Sequence, residues 1–358
     1  MDIAEIDKNF EIKPINEPDV EWFEIPQAPF SLHGVYYDEA EERFRRMPQE
    51  IANQVNKGVA WGCTHTAGGR IRFMTNSPYV AVKFVEPAMA AMWNMTWIGS
   101  CGFGVYAGGE FRGIISARPA TTSAVDGKFA FEGIRYLPSL CLEEITICMP
   151  LYNRVHKLYI GLKKGSVVQK PKPYAYEKPV VFYGSSITQG GCASHPGNDY
   201  IYQLSRALHF DYINLGFSGS AKGEEPMRNY LATLDSSVFV LDYDHNAPTL
   251  EHLQETYYPL YETIRSAHPK TPIVIISRPN FYHDPSVSAT RRDYIKSVYK
   301  RAKKTGDKKV WFIDGATLFG KKDYDLCTVD LCHPNDLGMY RMAKTIAPVL
   351  KKALKKSK

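Results

Sequence analysis

Two regimes of hydrophobic patterning divide the chain. From about residue 20 to 165, apolar and polar positions alternate in short runs broken by Gly, Pro, Asn and Asp. Examples are Gly69-Arg70-Ile71-Arg72-Phe73, Tyr79-Val80-Ala81-Val82-Lys83-Phe84-Val85, Phe129-Ala130-Phe131 and Glu144-Ile145-Thr146-Ile147-Cys148-Met149. A period of two puts one face of each segment inside and the other in water, so these runs predict half-buried antiparallel strands. Many short strands at such spacing predict a β-sandwich, jelly-roll-like, over residues 1–165. A helical turn or two is expected around residues 39–55.

Residues 163–178, rich in Lys and Pro, then read as a linker over 166–178 or a strand edge leading into it. From residue 179 the grammar changes. Runs that are apolar throughout predict strands near 179–183, 212–215, 238–243, 272–276 and 310–313. Amphipathic stretches between them predict helices near 200–208, 250–267, 289–304 and 337–355. Strands apolar on both faces, alternating with helices, imply an α/β fold whose doubly wound parallel sheet occupies residues 179–358. Such sheets carry their sites at the carboxyl ends of the strands.

A chain of 358 residues, 44% hydrophobic and 23% charged, is ordinary for a soluble two-domain protein. The net charge of +6 is spread out, apart from Lys351, Lys352, Lys355, Lys356 and Lys358. Cations at the end of a helix complement its dipole, which explains that cluster more economically than a nucleic-acid tail. The seven cysteines are too few and too irregularly spaced for a disulfide framework, and their odd number fits a reducing compartment. Read from Met1, the N-terminus is acidic and polar without an apolar run, so a cytoplasmic protein is expected. Were Met1 not the native start, a removed signal peptide would make it periplasmic or secreted. No stretch has the length of apolar residues that spans a bilayer.

The strand exits carry the chemistry. Gly184-Ser185-Ser186-Ile187-Thr188 follows the first apolar strand and exposes a serine at the sheet's edge. A serine hydroxyl is a weak nucleophile and needs a histidine base oriented by a carboxylate. Asp330-Leu331-Cys332-His333 offers that pair just ahead of the last helix. Acyl transfer also needs donors aimed at the developing oxyanion. Gly216-Phe217-Ser218-Gly219 and Asp244-His245-Asn246 stand after the second and third strands and bring backbone N–H groups and a side-chain amide.

Order and spacing of these blocks resemble the SGNH hydrolases, also called GDSL esterases and lipases, over residues 179–355. The resemblance implies Ser186 as nucleophile, His333 as general base and acid, and Asp330 as its orienting carboxylate. It implies an oxyanion hole from the backbone of Ser186 and Gly219 and the side chain of Asn246, and no metal or organic cofactor. Two departures stand out: Ser185 replaces the aspartate usual in the first block, and Ala247 the aspartate usual after Asn246. The front half is similar to the sandwich domains that precede carbohydrate esterases of family two and related sugar acetylesterases. Gly99–Tyr106 resembles a Gly-x-Asp-Leu-Tyr motif, with Gly104 in place of the acid, and 149–153 fits the same pattern. The implied activity is removal of O-acetyl groups from acetylated xylo- or manno-oligosaccharides through an acetyl-enzyme, with no nucleic-acid or membrane partner. A lipase or thioesterase, and a non-catalytic glycan-binding module on a hydrolase scaffold, are the alternatives.

Other residues invite two readings each. His245 is a substrate contact or a hydrogen-bonded loop histidine. Trp93 and Trp97 are a sugar-stacking platform or core residues. Arg278 and Asn280 line the pocket or tie a loop, His195 is the more simply read as loop, and Cys327 and Cys332 as packed thiols rather than metal ligands.

Overall fold

The computed structural model describes residues 3–8, 15–86, 92–116, 123–125 and 128–357. Met1 and residues 89–91 of the apolar stretch before Trp93 lie outside them.

Two antiparallel sheets form the front half. One orders Val20–Ile25, Lys157–Lys163, Tyr79–Glu86, Lys128–Tyr136 and Ser123–Val125. The other orders Val168–Gln169, Arg70–Thr75, Glu143–Cys148, Phe103–Ala107 and Glu110–Ile115, and Ser31–His33 also pairs with Arg70–Thr75. Their inner faces meet in one core that includes Ile71, Phe73, Val82, Phe84, Val105, Ile147 and Ile160. The expected helix at 39–55 is only partly there. Tyr36–Asp38 and Arg43–Arg45 make a hairpin in which Phe44 is buried and Arg45 Nε bonds Asp38 Oδ2 at 2.6 Å. The helices follow it, at Gln49–Val55 and Lys57–Gly62.

The expectation of half-buried strands fails where it matters most. In Arg70–Thr75, Ile71 and Phe73 enter the sandwich core, as alternation requires. Arg70 and Arg72, on the opposite face, are buried as well, because that face meets the second half rather than water. Arg70 bonds Asp211 and the carbonyl of Tyr212, and its guanidinium lies 3.6 Å over the Tyr212 ring. Arg46 donates to the carbonyls of Asn214 (3.1 Å) and Gly216 (2.6 Å), and burial lowers its pKa to about 10.

The predicted linker is not a free tether. Val168–Gln169 pairs with Arg70–Thr75, Lys172 accepts from Arg72 and donates to Glu144, and the Ala175 amide donates to the His209 carbonyl.

In the second half five parallel strands lie in the order Tyr212–Gly216, Val180–Gly184, Val238–Asp242, Ile273–Ile276, Val310–Ile313. Val180 and Phe182 face one side, against helices Tyr200–Leu208 and Asp336–Lys355. Val181 and Tyr183 face the other, against Glu225–Thr233, Leu250–Ala267 and Pro285–Lys304. The sheet is therefore doubly wound, as its unbroken apolar strands predict. The front half enters both layers. Met95, Tyr106, Leu151 and Tyr152 join the first, and Met47, Ala52 and Val59 the second.

Strand order reverses around Val180–Gly184, whose neighbours leave it in opposite directions. In such sheets the ligand site lies at the carboxyl edge by the switch point. The loops at 185–190, 217–219 and 243–247 leave the strands at that edge.

Candidate active site

Ser185 ends the central strand and caps the short helix Ser186–Gln189, its Oγ accepting from the Ile187 amide at 3.2 Å. Serine is as good a helix cap as aspartate, so the departure at Ser185 keeps the turn. Ser186 is thereby the first helical residue, whose N–H has no partner within a helix. Asn214 Nδ2 donates to the Thr188 carbonyl, and Tyr152 of the front half donates to the Ser186 carbonyl at 3.0 Å. The Ser186 turn is thus pinned from both halves.

The second partner arrives on a turn that Asp330 caps itself. Its Oδ1 accepts from the amides of Cys332 (3.1 Å) and His333 (2.7 Å), with Leu331 at a positive φ of 65°. Asp330 Oδ2 lies 2.7 Å from His333 Nδ1, and His333 Nε2 lies 2.9 Å from Ser186 Oγ. With the ring proton on Nδ1 donated to Asp330, Nε2 is left to accept the serine proton. The three side chains lie in the sequence hydroxyl, imidazole, carboxylate, an arrangement able to activate the serine. Burial acts to raise the Asp330 pKa, but donors from the His333 backbone, Asn94 and the His333 ring outweigh it and hold it at about 2.

Gly219 sits at φ 64°, a left-handed conformation that glycine adopts without strain. Ser218 N donates to Gln189 Oε1 at 3.1 Å, which ties this loop to the nucleophile helix. Asn246 Nδ2 donates one hydrogen to the Phe217 carbonyl at 2.8 Å, so its amide faces the same loop. Ala247 is buried and its carbonyl accepts from Arg291, which leaves the position no acidic role here.

His245 is half-buried and hydrogen-bonded within the loops. Its Nε2 lies 3.1 Å from Asn280 Oδ1 and its Nδ1 4.0 Å from Cys332 Sγ, so both nitrogens are turned into protein. Asn280 in turn donates to the carbonyls of Leu331 (2.6 Å) and Cys332 (3.0 Å). These two residues brace the Asp330–His333 turn, which fits the reading of His245 as a hydrogen-bonded loop histidine. Arg278 donates to Ser288, and its amide to Asp244. His195 stacks on Phe111 at 4.3 Å, as a loop residue. The two tryptophans part company. Trp93 is 88% exposed, whereas Trp97 is half-buried and begins the helix Trp97–Cys101.

Residue patterns gave no hint of Asn94. It comes from the front half, and its Nδ2 lies 2.8 Å from Asp330 Oδ2. Beside it is an open hollow of about 380 Å³ whose lining includes Thr96, Ser194, Asp336, Val329 and Leu337. All seven cysteines are free thiols. Among the described residues no group of three or more His, Cys, Asp or Glu is placed to hold a metal, and no helix is long and apolar enough to cross a membrane.

Comparison with known proteins gives a family for each half. Residues 177–351 match the GDSL-like lipase/acylhydrolase family, and residues 20–168 match the N-terminal domain of esterases of the SGNH hydrolase type. No curated protein matches the chain. Among solved structures, a Bacteroides ovatus protein named only for its likeness to GDSL lipases is 26% identical, with a TM-score of 0.81, over 94% of this chain and 98% of that one. The salicylyl-acyltransferase SsfX3 of a tetracycline biosynthetic pathway shares the fold at a TM-score of 0.72, with 19% identity over 91% and 95% of the two chains. The acetyl xylan esterase Est2A of Butyrivibrio proteoclasticus shares it at 0.59, with 13% identity over 94% and 100%.

Proposed function

Because residues 177–351 belong to the GDSL-like lipase/acylhydrolase family, behind the N-terminal domain of SGNH-type esterases, we propose that this ester hydrolase removes O-acetyl groups from acetylated xylo- or manno-oligosaccharides. The observation that carries the reading is the 2.9 Å approach of Ser186 Oγ to His333 Nε2, itself backed by Asp330 at 2.7 Å. A decayed glycan-binding scaffold has no reason to keep that alignment.

Ser186 Oγ attacks the acetyl carbonyl carbon while His333 Nε2 takes its proton. The carbonyl oxygen becomes an oxyanion held by the amides of Ser186 and Gly219 and the second amide hydrogen of Asn246. His333 then returns the proton to the departing sugar oxygen, which leaves as an alcohol. Water, deprotonated by the same imidazole, releases acetate from Ser186. Asp330 stays ionised throughout and holds the ring in the productive tautomer.

Two observations support a sugar as leaving group. The hollow beside Asn94 mixes hydroxyl and carboxylate partners with the apolar Val329 and Leu337. Trp93, exposed next to Asn94, offers a flat apolar face of the kind that packs on a sugar ring. The likeness to the acetyl xylan esterase adds the architecture alone. A bulkier acyl group is the second reading, favoured by Val329 and Leu331, 47% and 68% exposed on either side of Asp330.

NMR of acetate release across acetylated xylo- and manno-oligosaccharides, run beside p-nitrophenyl esters of rising chain length, separates the two. Fast release from oligosaccharides, with long-chain esters far slower, is expected. Long-chain esters turned over faster than every acetylated sugar would discard the sugar reading and keep the esterase.

A further inference from the structure

We propose that Asn94 is a positioning residue of the catalytic relay, lent to the α/β domain by the β-sandwich. The inference rests on the esterase reading above and extends it to a residue outside the hydrolase half.

Asp330 Oδ2 is shared. It receives His333 Nδ1 at 2.7 Å and Asn94 Nδ2 at 2.8 Å, while Oδ1 is taken by the amides of Cys332 and His333. A carboxylate engaged on both oxygens cannot swing about its Cβ–Cγ bond without breaking several hydrogen bonds at once. Its lone pair therefore stays aimed at Nδ1, and the ring stays aimed at Ser186. Asn94 Nδ2 also lies 3.4 Å from His333 Nδ1, so the amide borders the ring itself.

The segment that carries Asn94 is fastened to the hydrolase half. Met95 is buried in that half's core. Thr96 Oγ1 donates to the Ser194 carbonyl at 2.6 Å and accepts from the Gly99 amide at 3.0 Å, capping the helix that follows. The Ser194 amide donates to Asp336 Oδ1 at 2.9 Å, at the start of the helix behind His333. Asn94 is thus placed by Met92 before it and Met95 and Thr96 after it, not only by its own bond to Asp330.

A neutral donor on Oδ2 has an electrostatic effect as well as a steric one. It draws charge from the oxygen that faces the ring and so limits how tightly Asp330 holds a proton on His333. Removing the donor leaves more negative charge beside the imidazolium. The acid limb of kcat/KM, where His333 must lose its proton to act as base, then moves to higher pH. A carboxylate in place of the amide adds a like charge and moves it further. The other ionisable groups around the relay are His245 and Asp244 after the third strand and Arg278 after the fourth. Cys192 beyond the Ser186 helix, Cys332 in the Asp330–His333 turn and Asp336 behind it are the others among the described residues.

The test uses the full chain and p-nitrophenyl acetate, with Asn94→Ala and the isosteric Asn94→Asp, and thermal melts to show that both are folded. Asn94→Ala is expected to lower kcat about 10-fold with KM little changed, the signature of a group that supports the transition state. Asn94→Asp is expected to shift the acid limb of kcat/KM upward by about one pH unit. Wild-type kcat in Asn94→Ala, or an acid limb in Asn94→Asp at its wild-type position, overturns the assignment and leaves the esterase standing. No turnover by the unaltered chain on any ester would overturn both.

Discussion

Four donors converge on Asp330: the amides of Cys332 and His333, the His333 ring and Asn94. That concentration keeps its carboxyl at about 2, below its ordinary 3.8. The depressed value means that its stabilising effect is present above the ordinary value and is lost as pH falls through about 2. Asp330 is therefore charged throughout the neutral and mildly acidic range, and its protonation does not set an acid limb there. Replacing it with asparagine removes the charge that stabilises the imidazolium and offers the ring the wrong hydrogen-bond partner. Asp330→Asn is expected to lower kcat by about 10⁴-fold while the fold survives, measured by steady-state hydrolysis beside a thermal melt. The alignment of Ser186, His333 and Asp330 was legible in the sequence because acyl-transfer chemistry asks for particular residue types at strand exits. Asn94 was not, since it lies 236 positions from its partner in a turn whose composition reports nothing about what it faces. His245 shows the converse. Its position at a strand exit suits a substrate contact, yet its two nitrogens are spent on Asn280 and Cys332.

At the scale of elements, departures from the family pattern have physical reasons. Gly104 occupies the place of an acid because a Cβ there would lie 2.1 Å from the Pro196 carbonyl oxygen, where the strand Phe103–Ala107 packs against a loop of the other half. Ser185 keeps the capping function of the missing aspartate. The carboxylate that does sit behind the nucleophile is Asp242, at the end of the third parallel strand. It is fully enclosed and accepts from Tyr200 (2.9 Å) and Thr188 (3.1 Å). Burial, assisted by the neighbouring Asp244, outweighs those bonds and raises its pKa from 3.8 to about 7. A carboxyl raised on folding favours the folded state most when it is protonated in both states. Its contribution is full below the ordinary value and is lost as pH rises through about 7. Asp242→Asn removes the charge and keeps the shape, so its melting temperature relative to wild type is expected to rise between about pH 4 and 8. A constant difference across that range would show that Asp242 does not titrate there. Strand and helix positions were readable because period and apolar length report burial directly. The hairpin at Tyr36–Arg45 was missed because Arg43-Phe44-Arg45 is too short a run to declare its period.

On the scale of the whole molecule, the division into two domains holds in the chain but not in the packing. Leu151, Tyr152, Tyr106, Met95, Met47 and Val59 of the front half are buried in the two layers that cover the parallel sheet. At about 1.5–3 kcal/mol for a large buried side chain, their combined burial is comparable to the roughly 5–15 kcal/mol that holds a domain folded. Alternation told which residues of Arg70–Thr75 point each way, and could not tell that a second half stood where water was expected. The segment at 166–178, read as a linker or a strand edge leading into it, does pair at Val168–Gln169 and is bonded further on. The front half is therefore part of the site, since Tyr152 holds the nucleophile turn and Asn94 the orienting carboxylate. The central claim is that this assembly makes one serine hydroxyl nucleophilic. Intact-mass and peptide mass spectrometry after exposure to a fluorophosphonate measures it directly. One adduct per chain, on Ser186 and absent from Ser186→Ala, is the predicted result. An unlabelled chain, or an adduct retained in Ser186→Ala, would contradict the account.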